Sequence, residues 1–556
     1  MKNHILKKNK SKTCKTRNYS RRRILQTAVF STVTPFSASV SPAENKKSKQ
    51  KKVDNLFWGD LHTHTNLSDG NGTPEDNFEI ARKHLDFWTM ADHAYDEIVF
   101  HRYPSKIARG EQFLNDHWER IQKLCRDYEK NGQFIPFLGY EWTSFCYGHH
   151  NVYYLQYDQP IRIPSTLPEL YASLRNVDAL VIPHHTGYPV RKTGKDWNFY
   201  DEHLSPFAEI YSIHGSSEEP CGVTPLLTGG SWMGPGESGT SIQEGLARGY
   251  QFGIIASTDS HGGHPGVYDL GLMGVHAKEL RRKSLWEAFR NRRVYGVTGD
   301  RISLDFSLNG YPMGSVVNRS KKRNITILAT GWDKIDRIDV IKNNSLFHSF
   351  IEPSGLPEKN KKIRFRFFLE WGWDNTEDRE WDGRLTVSEG RILQAVPCFR
   401  GSAANLIGNG IKNLSESDCI WKSKTEKVSY PIYLRQYADA IAFEVECSEN
   451  DILKFNFTCS GMKREIKVSP GGILGECKVI YMEDIPPENK SNYWNKMKSH
   501  AKFKIHQGWL TEQLTVNLTC EDNFPEHSDG RADYYYIRLI QKNKQRAWSS
   551  PIWCST

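Results

Sequence analysis

Leu56-Phe57-Trp58-Gly59-Asp60-Leu61-His62-Thr63-His64 is an apolar run that closes on two histidines spaced two apart. On an extended chain, residues i and i+2 point the same way, so both imidazoles can reach one ion at the strand end. An HxH pair alone is an ordinary surface feature; here it is repeated in kind. Apolar runs recur at 85–91, 134–140, 151–155, 180–183, 207–213 and 252–257, and beside them stand Asp92-His93, Glu141, His149-His150, His184-His185, His214 and Asp259-Ser260-His261. Helix-like segments lie between some of these runs, Glu75–His84 behind a Thr73-Pro74 cap and Leu280–Arg292. Strands alternating with helices indicate parallel βα units, and chemistry-bearing residues at the strand ends indicate a barrel-type α/β enzyme.

After Asp300 the pattern changes. Alternating runs at 302–306, 324–329, 363–369, 441–447, 514–520 and 534–540 read as half-buried antiparallel strands separated by Gly, Asn and Asp turns. The expected fold class is α/β plus all-β: an α/β barrel over 53–300 and one or two β-sandwiches over 301–556.

The chain of 556 residues carries a net charge of +9, but residues 1–52 hold 15 Lys or Arg against one acid, leaving 59 basic and 64 acidic residues after them. The body is therefore acidic, which argues against nucleic acid as a partner. Ser20-Arg21-Arg22-Arg23-Ile24-Leu25-Gln26, an uncharged stretch to Ala43 and small residues at Ser41 and Ala43 resemble a twin-arginine export signal, with Ile24 and Gln26 in place of the usual Phe and Lys. The expectation is a periplasmic or secreted protein. It would meet the twin-arginine translocation machinery during export and keep no stable membrane insertion after signal removal. Eleven cysteines without a CxxC pair exclude a zinc ribbon and leave disulfides open.

Six segments placing N and O ligands on one rim point to a polynuclear metal site. Because successive strand residues face opposite ways, His150 and His185 read as supporting or core residues beside His149 and His184, with a register one residue off as the open alternative. His214 reads as either a proton-transfer or a structural residue. Arg102, Arg191 and His264 are loop candidates for anion binding, and the glycine-rich stretch 215–249 reads as a lid or binding loop.

These motifs resemble those of the PHP (polymerase and histidinol phosphatase) superfamily, in particular an exported branch with a β-rich C-terminal half, over residues 56–556. The resemblance implies a distorted (β/α)7 barrel with two or three divalent transition-metal ions, Zn, Mn or Fe. It implies one ion on His62, His64, Glu141 and Asp259, and Glu141 bridging to a second on His149 and His184. A third would sit on Asp69, His93 and His261.

The expected activity is metal-dependent hydrolysis of an anionic small-molecule or oligomeric substrate, foremost a phosphoester, with His214 or Asp259 assisting proton transfer. Hydrolysis of an amide, ester or glycan-linked bond is the alternative. A non-catalytic binding module would grip glycan or protein through Trp371, Trp373, Trp381, Trp421 and Trp494. The β-rich half is expected to supply no metal ligand.

Overall fold

The computed structural model describes residues 54–95, 110–190, 192–219, 236–351, 362–374, 377–400, 408–427, 438–483, 500–523 and 531–555. The segment read as an export signal, Arg102, Arg191, Trp494 and residues 220–235 of the glycine-rich stretch lie outside them. Each of the seven apolar runs before Asp300 contains a strand: β1 (Asn55–Asp60), β2 (Phe87–Thr89), β4 (Ile135–Thr143), β5 (His150–Tyr154), β6 (Ala179–Pro183), β7 (Phe207–Ser212) and β9 (Gly253–Ala256). Four more join them, β3 (His93–Tyr95), β8 (Gly215–Ser216), β10 (Leu272–Ala277) and β11 (Val294–Val297).

Helices α1 (Pro74–His84), α2 (Gly110–Tyr128), α3 (Leu167–Leu174), α4 (Ile242–Ala247) and α5 (Arg282–Arg290) lie between strands. The start of α1 is set by a capping box: the Thr73 hydroxyl accepts from the Asp76 amide while the Asp76 carboxylate accepts from that of Thr73. Phe78 and Ala81 turn inward from it, and Phe78 meets Trp88 of β2 edge-on.

Among the described strands before Asp300, parallel pairing joins β1–β2–β4, β3–β4 and β7–β9. Contrary to the all-parallel expectation, β4–β5, β5–β6, β1–β10 and β10–β11 are antiparallel. The link 144–149 shows why for β4 and β5: a parallel crossover needs about a dozen residues, and this connection is too short for one. Strand order is β6-β5-β4-β2-β1-β10-β11, and β7 and β9 form a separate small sheet with β8.

The large sheet continues beyond β11 through Arg546–Ser549, Asp533–Gln541 and Ile552–Ser555. Strand therefore dominates the molecule. Ser303–Leu308, Arg323–Thr330 and Thr515–Asp522 form an antiparallel sheet whose Phe306 and Ile327 share a core with Ile338, Tyr535 and Ile537. Two further sheets, built on Ile363–Gly372 and Arg379–Val387, enclose Phe367, Trp371, Trp381, Trp421, Phe443 and Phe457. Three of the five tryptophans read as a binding surface, Trp371, Trp381 and Trp421, are thus core residues, each at most 1 % exposed. The nine described cysteines are all unpaired thiols. Among the described residues, no helix is long and apolar enough to cross a membrane.

Candidate metal centre

Two buried carboxylates at the ends of strands hold the loops that carry the histidines. Asp60, closing β1, accepts from the His62 and Thr258 amides at 3.2 and 3.0 Å, from the Thr258 hydroxyl at 2.5 Å and from the Gly266 amide at 2.8 Å. The His62-Thr63-His64 segment thereby runs parallel to 258–261, with the Asp259 amide donating to His62 O and the His64 amide to Ser260 O. Trp88 Nε1 donates to Thr63 Oγ1 at 2.9 Å, turning Thr63 away from the histidines on either side of it. Asp92 accepts from the Thr65 amide and hydroxyl at 2.8 Å and from Ser68 Oγ at 2.6 Å, fixing the loop that leads to Asp69. Register places His93 of β3 directly beside Glu141 of β4.

Glu141 lies at the middle of the arrangement. Its Oε2 is 3.4 Å from both His62 Nε2 and His64 Nε2 and 3.2 Å from His93 Nδ1; its Oε1 is 2.7 Å from His149 Nδ1 and 3.5 Å from His184 Nε2. Asp259 Oδ1 is 3.3 Å from His62 Nε2 and 3.1 Å from His64 Nε2, and Oδ2 is 3.1 Å from His214 Nε2. Asp69 Oδ1 is 3.5 Å from His93 Nε2, 3.3 Å from His261 Nε2 and 4.0 Å from His64 Nδ1. Glu141 is buried, whereas the side chains of Asp69 and His261 are about one-third exposed, so the cluster opens to solvent on that side. His214 is further held by Tyr188, whose hydroxyl lies 2.9 Å from His214 Nδ1.

The structure brings together every residue singled out as ligand or catalytic group: His62, His64, Asp69, His93, Glu141, His149, His184, His214, Asp259 and His261. Overlapping groups capable of holding an ion are His62/His64/Asp259, His62/Glu141/His184, His93/Glu141/His149, His149/His184/His185 and His64/Asp69/His93/His261. Among the described residues, all such groups lie between His62 and His261. In the β-rich half, His506 and His500 pair with Glu370 and Glu483 instead. His150 is drawn away from the cluster: its Nδ1 meets Gly148 O at 2.9 Å and its Nε2 meets Lys195 Nζ at 3.0 Å. His264 packs against His84 and is buried.

One residue that the sequence reading passed over belongs here. Glu209 of β7 is 1 % exposed, and its Oε2 is 3.2 Å from His62 Nδ1, leaving His62 Nε2 to face the cluster. A charged residue inside the apolar run Phe207-Ala208-Glu209-Ile210 is the available sequence cue. His261 is oriented in the same way by Asp259 O, 3.0 Å from its Nδ1, and His93 by Thr143 Oγ1, 2.8 Å from its Nδ1.

Electrostatics and orphaned atoms test whether the donor set suits metal ions. Burial works against ionising Glu141 and Asp259, yet the surrounding imidazoles hold both carboxyls well below the usual range. Burial likewise opposes charge on His62 and His93, but Asp259 and Glu209 push the former well up and Glu141 and Asp69 push the latter to about 9. Burial brings His64 and His184 down to about 3. Glu209 is pushed up to about 7 by burial. The carboxylates thus demand positive charge that only some of the imidazoles can take as protons. His149 Nε2, His184 Nδ1 and His185 Nδ1 are buried without a hydrogen-bond partner. Buried, anionic and rich in unsatisfied nitrogen donors, the set fits divalent transition metals.

No family model matches the chain. It is 26% identical over 325 residues to an uncharacterized protein of Chlamydia pneumoniae, the match covering 54% of this chain and 49% of that protein. Uncharacterized proteins of Chlamydia trachomatis and Chlamydia muridarum match at 26% over 323 and 318 residues, again covering 49% of each and 54% and 53% of this chain. The chain therefore spans about half the length of the curated relatives it matches. Among solved structures, a two-domain protein of Bacteroides vulgatus, described as containing a predicted PHP-like metal-dependent phosphoesterase, is 13% identical with a TM-score of 0.31. That match covers 77% of this chain and all of the other.

Proposed function

We propose that this chain is an exported metal-dependent hydrolase, foremost a phosphoesterase, with a di- or trinuclear centre. The observation that carries the reading is Glu141, whose two oxygens face two different sets of buried histidines, with Asp259 facing His62 and His64 as well and Asp69 facing His93 and His261. Ions in such a centre supply Lewis acidity, lower the pKa of water and neutralise a phosphoryl group. His62, His64, Glu141 and Asp259 would hold one, Glu141, His149 and His184 a second, and Asp69, His93 and His261 a third. Zn, Mn and Fe all suit these donors. The distorted (β/α)7 barrel belongs to the same reading, with β1–β2–β4 and β7–β9 as its parallel arcs. So does the division into a catalytic region over 53–300 and a β-rich region over 301–556.

Within this site His214 is the proton-handling group. Its Nε2–H donates to Asp259 Oδ2 and the Tyr188 hydroxyl faces its Nδ1, so the ring is held in one orientation with Nδ1 as the nitrogen able to take a proton. Glu209 keeps His62 Nε2 directed at the centre. The protein's partner is an anionic substrate, small or oligomeric. The test is a panel of phosphomonoesters, phosphodiesters, carboxylic esters and amides offered to chelator-stripped protein reloaded with Zn²⁺, Mn²⁺ or Fe²⁺. Phosphoester turnover that disappears on stripping and returns on reloading is expected. Turnover of esters or amides alone would move the assignment to the other bond class.

Export rests on Arg21-Arg22 ahead of an uncharged segment. Replacing both with lysine should retain the protein in the cytoplasm on cell fractionation, and undiminished delivery to the periplasm would refute the signal.

A further inference from the structure

His185 breaks two rules at once. Its φ is +32°, on the left-handed side of the backbone map that a residue with a side chain enters at a cost in strain. It is also 4 % exposed, with its Nδ1 lacking a hydrogen-bond partner. A buried nitrogen left without a partner is a further cost to folding. Neither cost is recovered by packing alone, because the ring lies against other imidazoles: its centroid is 4.3 Å from His184, 4.8 Å from His149 and 4.9 Å from His214. His149 Nε2 and His184 Nδ1 are equally buried and unpartnered. The three residues place ring nitrogens within 4.8 Å of one another, compatible with donors about 2.1 Å from a common ion. The neighbouring His150 shows what a non-ligand looks like in this chain, with one nitrogen on Gly148 O and the other on Lys195 Nζ.

We propose that His185 is a metal ligand in addition to His184, so that His149, His184 and His185 present a three-histidine face to one ion of the centre. The inference rests on the metal-dependent reading above and deepens it. An ion on this face would receive three imidazole nitrogens and no carboxylate, since Glu141 faces the opposite nitrogens of His149 and His184, whereas the set His62/His64 faces both Glu141 and Asp259. An ion beside His185 would therefore keep more of its positive charge. An all-imidazole face also favours Zn²⁺ or Co²⁺ over Mn²⁺ at this position.

The test is a titration of chelator-stripped full-length protein with Zn²⁺, read by bound metal per chain, and with Co²⁺, read by its visible absorption. His185→Asn is the variant of choice because asparagine tolerates positive φ; His185→Gly, free of backbone strain, guards against misfolding of the first. Both should lose one ion per chain, or bind that ion at least about 30-fold more weakly, while His150→Ala binds as wild type. Wild-type loading with superimposable titrations for both His185 variants would overturn this proposal and leave the hydrolase reading standing. Wild-type protein that takes up less than one ion per chain would overturn both.

Discussion

Glu141 shows how much one side chain carries in this molecule. One oxygen faces His149 and His184 and the other His62, His64 and His93, so losing its charge leaves five imidazoles without the carboxylate they share. Glu141→Gln keeps the volume and removes the charge. It should cost at least about 3 kcal/mol in the site, a factor on the order of 10² in metal affinity and turnover. Metal analysis after dialysis beside steady-state rates would show it, and a variant with normal metal content would contradict the bridging position. Glu209 acts one step further out, through His62 Nδ1. Glu209→Ala should weaken metal binding by roughly 10- to 100-fold, and Glu209→Gln by less, since its amide oxygen still accepts from Nδ1. Equal affinity for Glu209→Ala and wild type would remove Glu209 from the site. The ligand candidates were legible in the sequence because each stands at or near the end of an apolar run. Glu209 sits inside such a run, where hydrophobic periodicity cannot tell a buried functional carboxylate from an inward-facing strand position, and His185 depended on a one-residue register that sequence leaves open.

At the scale of the element, strands were readable and their partners were not. Apolar runs bounded by polar clusters marked seven of the strands before Asp300, but run length says nothing about direction. The antiparallel β4–β5 pair follows from the short link 144–149, and β10, which pairs with β1, carried no ligand to draw attention to it. The sheet is nevertheless built to close tolerances around β4. A Cβ added at Gly139 would lie 2.6 Å from Thr89 Cγ2, 2.8 Å from Val152 O and 2.9 Å from Tyr153 Cδ1, so β2, β4 and β5 approach one another only because this residue is glycine. Gly139→Ala should therefore destabilise the protein by about 1–3 kcal/mol. Since Glu141 lies two residues along the same strand, metal affinity should fall with it. Urea unfolding and a Zn²⁺ titration on the same variant test both halves, and unchanged midpoints would mean that the strands separate without strain.

The whole molecule is tied together more tightly than two successive sequence patterns suggest. β11 pairs with Arg546–Ser549, and one apolar core runs from Trp88 and Leu138 to Phe306, Ile327 and Ile537. The change of pattern at Asp300 was legible, but this shared sheet was not, because its strands are separated by some 250 residues of sequence, beyond the reach of local periodicity. Asp300 itself sits at the junction. Buried, it accepts from Tyr268 Oη at 2.8 Å, Gln541 Nε2 at 2.6 Å and Asn543 Nδ2 at 2.8 Å, joining the segment after β9 to the C-terminal strands. Burial outweighs these donors and raises its pKa from 3.8 to about 6. The folded protein therefore holds a proton there at pH values where the unfolded chain has lost it. Between about pH 4 and pH 6 the native state binds more protons than the unfolded state, so this group's contribution to stability falls as pH rises and is gone above the folded pKa. The full difference is on the order of 3 kcal/mol. Asp300→Asn cannot titrate, so the gap between wild-type and variant unfolding free energies should shift by that order in the variant's favour from pH 4 to pH 7. Denaturant melts of both proteins across this range measure it. Parallel pH profiles would show that Asp300 is ionised in the folded state throughout, held so by the three donors that converge on it.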